Sequence, residues 1–257
     1  MKIGIVTGAS SGMGREFALR IDRTVQLDEL WLVARRKERL QQLAEELQTP
    51  CRIFPLDLEE QESVRILRQA LFERPGVQVT VLVCAAGFAK FGRAEDLTLE
   101  ETDSMLRVNC QAAVDLTGIV IPYLGKGSRV LEICSCAGYQ PLQGMNIYAA
   151  TKAFLLSYTR ALRWELAGKR VRVTAVCPYW VKTEFMRVAR ETGHPDAVRH
   201  CTLMAQRPEK VAARALRANR IGFAVATCGL MSFVQRIAAK FLPNCVIMAF
   251  WEGIRRI

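Results

Sequence analysis

Histidine is nearly absent: two residues, His194 and His200, in 257. No Cys-x-x-Cys pair accompanies the nine cysteines at 51, 84, 110, 134, 136, 177, 201, 228 and 245. Zinc ribbons, thioredoxin-type redox motifs and histidine-rich metal centres are therefore excluded, and no metal site is expected. The odd cysteine count, with members such as Cys84 set in apolar runs, points to small core hydrophobes in a reducing, cytoplasmic setting. Long hydrophobic runs are missing too. Ile221–Met231 and Cys245–Trp251 fall short of the roughly 20 residues that span a bilayer. After Met1-Lys2 the apolar stretch Ile3–Val6 is too short for a signal peptide. Glycine and proline, at 17 and 9, are too few for a collagen-like or low-complexity chain. Acidic residues are short relative to basic ones, leaving a formal charge of +11. From Gly193 onward ten Lys/Arg stand against Asp196, Glu209 and Glu252. Such a tail reads by default as a solvated face and otherwise suits an anionic ligand or surface, but no strip of aromatics interleaves with it, and a nucleic-acid partner is not expected.

Short β-branched runs alternate with longer helical patterns in what remains. Strands are predicted near 2–7, 29–34, 51–55, 79–84, 129–134 and 171–176, with helices near 12–21, 37–48, 59–72, 96–121 and 146–167. Repeated strand–helix–strand units imply right-handed crossovers and a doubly wound parallel sheet between two helical layers. The absence of a linker-like stretch predicts one α/β/α domain over 1–257. Its ligand should lie at the carboxyl ends of the strands. Residues 178–207 read as a lid with a short helix. Pro208 opens a helix to about Arg220, and two amphipathic segments separated by Pro243 complete a helical extension over 208–257.

The first strand runs into Thr7-Gly8-Ala9-Ser10-Ser11-Gly12-Met13-Gly14. Glycines allow a tight turn against a pyrophosphate, and the helix N-terminus that follows attracts its charge. A carboxylate for the ribose hydroxyls is due about 20 residues later. Ala34, Arg35 and Arg36 stand there instead. Guanidiniums grip a 2′-phosphate through paired hydrogen bonds, so NADP(H) is expected over NAD(H). Tyr148 and Lys152, four apart, share a helix face, and Ser135 closes the fifth strand. An ammonium beside a phenol draws its pKa toward neutrality, which is what protonating a developing alkoxide needs.

The Thr-Gly-x-x-x-Gly-x-Gly turn with Ser135, Tyr148 and Lys152 resembles the short-chain dehydrogenase/reductase family over about residues 1–190. The resemblance implies a Rossmann-type fold and hydride transfer between NADP(H) and a ketone or secondary alcohol. It implies Tyr148 as acid/base, Lys152 on the nicotinamide ribose, Ser135 orienting the substrate oxygen, and Asn109 holding a water. The cofactor would meet Gly8, Ser10, Ser11, Gly12, Met13 and Gly14, Arg35 and Arg36, and Asp57 and Leu58. It would also meet Ala85, Ala86 and Gly87, Tyr148 and Lys152, and Pro178, Val181 and Thr183. Two departures stand out: Cys84-Ala85-Ala86-Gly87 replaces the family's Asn-Asn-Ala-Gly, and Pro178-Tyr179 replaces its Pro-Gly.

Substrate contacts are expected from Phe88, Ser135, Tyr139, Met145, Tyr179 and Phe185, with Phe91, Leu142, Trp180 and Met186 nearby. An aromatic and Met-rich lining suits a sizeable apolar substrate such as a hydroxysteroid. A 3-oxoacyl thioester reductase and a non-catalytic NADP-binding regulator are the alternatives. In the tail, Phe233, Ile237, Phe241, Ile247, Phe250 and Trp251 are too many large apolar groups for a solvated appendage. They are expected beside the cleft and against a partner in a homodimer or higher oligomer, with Arg255 and Arg256 in water, and reversible membrane attachment by this basic amphipathic end is the alternative.

Overall fold

The computed structural model describes residues 1–198 and 205–255. Seven parallel strands form one sheet: β1 (Lys2–Thr7), β2 (Glu29–Ala34), β3 (Cys51–Pro55), β4 (Gln78–Cys84), β5 (Arg129–Ile133), β6 (Arg172–Cys177) and β7 (Val225–Thr227). Their order is β3-β2-β1-β4-β5-β6-β7, so the winding reverses between β1 and β4. The chain is thus a doubly wound, Rossmann-type α/β fold. Ile3, Ile5 and Val6 of β1 and Leu30, Trp31, Leu32 and Val33 of β2 are all fully buried. Strands covered on both faces read as continuous apolar runs rather than alternating ones, which is why they were legible.

One face carries α1 (Gly12–Thr24), α2 (Lys37–Glu46) and α8 (Pro208–Ile221). Phe17, Ala18 and Ile21, Leu40 and Leu43, and Val211, Ala212, Ala215 and Leu216 bury their helical stripes there. The opposite face carries α3 (Gln61–Phe72), α5 (Ala112–Val120) and α6 (Asn146–Glu165), through residues such as Leu67, Leu71, Leu116, Leu155 and Leu162. A third cluster lies above the strand ends, where α10 (Asn244–Arg255) brings Trp251 against Phe91, Met105, Met145 and Tyr148.

Three readings need correction. The helix expected over 96–121 is interrupted. It begins as α4 (Leu99–Leu106), set by a capping box in which Thr98 Oγ1 accepts from Glu101 N–H at 3.1 Å and Glu101 Oε2 from Thr98 N–H at 3.2 Å. A π-turn at Arg107–Gln111 follows before α5. The Thr-x-x-Glu signal was present, whereas the π-turn leaves no periodic trace. Strand β7 was not expected. Its three residues pair with Ala175–Cys177 of β6, and inside the apolar run 221–231 periodicity cannot tell so short a strand from helix. Arg255, expected in water, is buried, with Nη1 donating to Ala197 O at 2.8 Å and Nε to Glu252 Oε2 at 2.5 Å. Arg256 and His200 lie outside the described residues.

Within the lid, α7 (Phe185–Arg190) and a 3₁₀ turn at Pro195–Ala197 are ordered elements. His194 is exposed and stands 3.3 Å from Asp96 Oδ1. Beyond β7, α9 (Leu230–Phe241) lies against the turn after β5. Its Ser232 Oγ donates to Cys177 O at 2.5 Å and its Gln235 Nε2 to Cys136 O at 3.5 Å. Among the described residues, eight cysteines are free, no cluster of metal-ligating side chains occurs, and no helix is long and apolar enough to cross a membrane.

Candidate active site

A cavity of about 840 Å³ opens at the carboxyl ends of β1, β2, β4, β5 and β6. One half is polar. The β1–α1 turn from Gly8 to Gly14 forms its floor, Arg35 and Arg36 its far edge, and Asp57 and Leu58 its side. Ser11, the N-cap of α1, makes no side-chain cap, so the first-turn N–H groups retain their capacity for an anion. Gly12 adopts φ +53°, and a Cβ there would press on the Thr183 methyl group at 3.1 Å. A side chain would be both strained and crowded. Arg36 spans the turn: Nε and Nη2 donate to Ser10 Oγ at 3.2 and 3.1 Å, and Nη2 donates to Ser11 Oγ at 2.6 Å. Arg35 is largely exposed, held at 3.6 Å from Asp57 Oδ2. A glycine cradle, open helix N–H groups and two guanidiniums form a donor set that fits a dinucleotide carrying an extra phosphate.

The departure at Cys84-Ala85-Ala86-Gly87 is bridged by β1. Buried Thr7 Oγ1 accepts from the N–H groups of both Ala85 and Ala86 at 3.0 Å, tying the β4 turn to the glycine turn across the switch point. Two backbone donors are thereby satisfied without the family's asparagine side chains. Pro178 O accepts from Cys136 N–H at 3.0 Å, so the segment after β6 stays docked although tyrosine replaces glycine at 179.

Ser135 lies two residues beyond β5 in an extended conformation and caps a 3₁₀ turn, its Oγ accepting from Ala137 N–H at 3.1 Å. Tyr148 lies on the first turn of α6, buried, its ring 5.3 Å from that of Phe185. Lys152 follows one turn later, buried, with Nζ donating to Ile133 O at 2.8 Å and lying 5.7 Å from the Tyr148 ring centroid. The electrostatics differ from the expectation. Burial pushes the Tyr148 phenol up from its ordinary value, and a hydrogen bond with Ser135 pulls it only partly back. Burial likewise draws the Lys152 ammonium down. Desolvation outweighs the Ser135 hydrogen bond because the phenol is almost wholly buried.

Asn109 stands in the π-turn just behind the cavity, 1% exposed. Its Oδ1 accepts from Phe88 N–H at 3.0 Å, and its Nδ2 donates to Phe88 O at 2.8 Å and to Thr151 Oγ1 at 3.2 Å. It braces the β4 turn against α6, beside the two residues of the Tyr-Lys pair. A Cβ on Gly87 would lie 2.8 Å from Asn109 Oδ1 and 3.3 Å from Lys152 Nζ, so only glycine lets that turn pass so close.

Every residue expected at the cofactor lines this cavity. Of those expected at the substrate, Phe88, Ser135, Met145, Tyr179 and Phe185 line it, as do Leu142 and Trp180. Tyr139 is not in the lining. It packs toward the core beneath α9, where Cys177, Ser232 and Arg236 surround its phenol. A docked α9 was not foreseen, and it claims that side of the turn. Phe91 is fully buried behind the wall, and Met186 packs against the same cluster outside the lining. Two contributions were missed. Glu184, in the lid, accepts from Arg36 Nη1 at 2.8 Å and Arg39 Nη1 at 2.7 Å, and these guanidiniums hold its carboxyl down at about 2. Met231, Val234, Ala238, Leu242 and Val246 form an apolar wall. The apolar content of the tail was visible, but not its direction.

The short chain dehydrogenase family matches residues 2–193. Sulfoacetaldehyde reductase 2 of Chromohalobacter salexigens is 37% identical over 195 residues, 72% of this chain and 75% of that protein. Serine 3-dehydrogenase of Agrobacterium fabrum is 33% identical over 199 residues, 75% of this chain and 77% of that one. A short-chain dehydrogenase from Sphingobium yanoikuyae, solved in complex with NADPH, superposes with a TM-score of 0.78 at 25% identity, covering 100% of this chain and 96% of that chain. The chain belongs to the short-chain dehydrogenase family. It is an oxidoreductase of that family, acting on alcohol- and ketone-type substrates.

Proposed function

We propose that this protein moves a hydride between NADP(H) and a sizeable apolar ketone or secondary alcohol, of which a hydroxysteroid is the class that best suits the cavity. The carrying observation is the apolar wall that α9 and α10 contribute to the cavity that Tyr148 also lines. Such a wall offers dispersion and burial to a rigid hydrocarbon body and no partner to a sugar or a small anion. When bound, the dinucleotide supplies or accepts the hydride. Arg35, Arg36, Ser10 and Ser11 hold its adenosine end, and Lys152 and Thr183 its nicotinamide end. The NADPH and NADP complexes of similar structures support this choice of cofactor.

Tyr148 then gives its proton to the oxygen of the reduced carbonyl, or takes it back in the reverse direction. Ser135 hydrogen-bonds the same oxygen and sets its position. Asn109 acts one layer back, as a positioning residue that keeps α6 in register with the β4 turn. An apolar surface on α9 supports a homo-oligomer, and eight free cysteines fit a reducing, cytoplasmic setting.

The test is a panel of ketones and secondary alcohols followed through the absorbance of the reduced nicotinamide. Steroidal and other bulky apolar substrates should give kcat/KM well above acetone, small hydroxy acids and acyl thioesters. Preference for a thioester, or for a small charged aldehyde, would overturn the substrate class and leave the cofactor assignment standing.

A further inference from the structure

The nitrogens of the Arg36 guanidinium are already engaged. Nε and Nη2 are spent on Ser10 and Ser11, and Nη1 on Glu184. Glu184 precedes α7 on the lid, across the groove from α2, and its second oxygen holds Arg39. This bridge and the adjacent Gly12–Thr183 contact cross the cavity over the glycine turn. Arg35 contrasts with Arg36: its guanidinium is exposed and has one loose ion pair to Asp57. A phosphate arriving on the ribose could therefore recruit Arg35 at once, whereas at Arg36 it meets the Glu184 carboxylate already seated on Nη1.

We propose that Glu184 is an internal competitor of the cofactor's 2′-phosphate, setting how far NADP(H) is favoured over NAD(H) and how readily it leaves. The inference rests on the NADP(H) reading given above. Carboxylate and phosphate accept from the same guanidinium fork, and both are anions, so they cannot share Nη1 without repulsion. The phosphate displaces Glu184 from Arg36, while Arg39 retains it close by. On release the carboxylate returns and neutralises Arg36 before a second phosphate is captured. NAD(H), with no phosphate at this position, leaves the bridge intact and gains nothing from its loss. Because Glu184 is carried by the lid, the exchange also links the adenosine end of the cofactor to the segment that closes over the substrate. An enzyme that must exchange its cofactor every turnover benefits from such a competitor, since product release often limits kcat.

The experiment compares the wild type with Glu184→Gln by calorimetric titration of NADP+, adenosine 2′,5′-bisphosphate and NAD+ at one fixed ionic strength. Neutralising the carboxylate should tighten NADP+ and the bisphosphate by roughly threefold or more, the scale of a partly exposed ion pair, and slow NADP+ dissociation in stopped flow. NAD+ affinity should hold within error. Hydrogen exchange over residues 184–192 of the cofactor-free variant should quicken as the bridge to α2 is lost. Weaker or unchanged NADP+ binding in the variant, or unaltered exchange in the lid, overturns the proposal. A wild type that binds NAD+ as tightly as NADP+ overturns the cofactor reading itself, a different result from any of these.

Discussion

At the scale of single residues, Tyr148 carries the sharpest expectation. Tyr148→Phe removes one oxygen from a buried ring that packs at a tilt beside Phe185, so the fold should be untouched. Turnover should fall by roughly two orders of magnitude or more, while NADP+ still binds. The sign of the pH dependence follows from the direction of the Tyr148 shift. A phenol pushed up by burial stays protonated through neutrality, which serves ketone reduction. Alcohol oxidation, needing the phenolate, should climb with pH across this range while reduction, served by the protonated phenol, holds steady. Initial rates in both directions from pH 6 to 10 check this, and an oxidation rate that is flat there would remove Tyr148 as the titrating group. A second residue, Glu132 of β5, is fully buried with one oxygen accepting from Thr117 Oγ1 at 2.8 Å, and burial lifts its carboxyl to about 7. An acid whose folded pKa is raised binds its proton more tightly when folded. Its contribution is complete below the ordinary carboxyl range and is lost as pH climbs through about 7. Glu132→Gln should flatten the fall in stability between pH 5 and 8 and leave the variant more stable than the wild type at pH 8. The gain should be on the order of 3 kcal/mol at most, measured by urea melts at both pH values.

At the scale of elements, the strands and the glycine turn were legible because β1, β2 and β4 are buried on both faces and therefore spell continuous apolar runs. The Tyr148–Lys152 pair was legible because helical spacing alone puts both on one face. What escaped depended on contacts distant in sequence. The π-turn that carries Asn109 is stabilised by what its amide meets at Phe88 and Thr151, and no local pattern encodes that. The direction of Tyr139 was decided by α9, nearly a hundred residues downstream. Arg255 looked like a solvated terminus, yet it is one of the groups that fasten α10 to the lid at Ala197. Trp251 is the other anchor, buried in the site cluster with Nε1 donating to Gln143 O at 2.9 Å. Trp251→Ala should cost about 3 kcal/mol, the usual scale for emptying a buried aromatic site, and raise KM for bulky substrates. NADP+ affinity should change little, because α10 walls the apolar half of the cavity and not the glycine turn. Thermal melts and cofactor titration on one preparation separate these effects, and a loss of NADP+ binding equal to the loss of substrate binding would mean the two halves are not independent.

At the scale of the whole molecule, the charge distribution and the α9 surface belong together. Between Glu209 and Glu252 the chain has no acidic residue. In that stretch Leu230, Phe233, Val234, Ile237 and Phe241 are exposed along α9, while Ile247 and Trp251 of α10 are buried. The tail was expected beside both the cleft and a partner, and the residues divide on those lines. Ile247 and Trp251 are covered by this chain, Val234 and Phe250 line the cleft while staying partly open, and Phe233, Ile237 and Phe241 face outward. Phe233, Ile237 and Phe241 recur at helical spacing on one side, a stripe broad enough to drive association through burial. Closed two-fold dimers are the commonest way to cover such a stripe. Lys240, its ammonium 5.6 Å from the Phe241 ring centroid, lies on the same stripe and would be shared across it. Replacing Phe233, Ile237 and Phe241 together by Ser should halve the apparent mass in light scattering, remove any dependence of the melting temperature on protein concentration and leave the secondary structure unchanged, because none of the three is part of the core. The same variant should bind anionic vesicles no less than the wild type. If instead the mass is unaltered and the wild type alone sediments with phosphatidylserine vesicles, the stripe faces lipid, and the apolar cavity beneath it would draw its substrate from there.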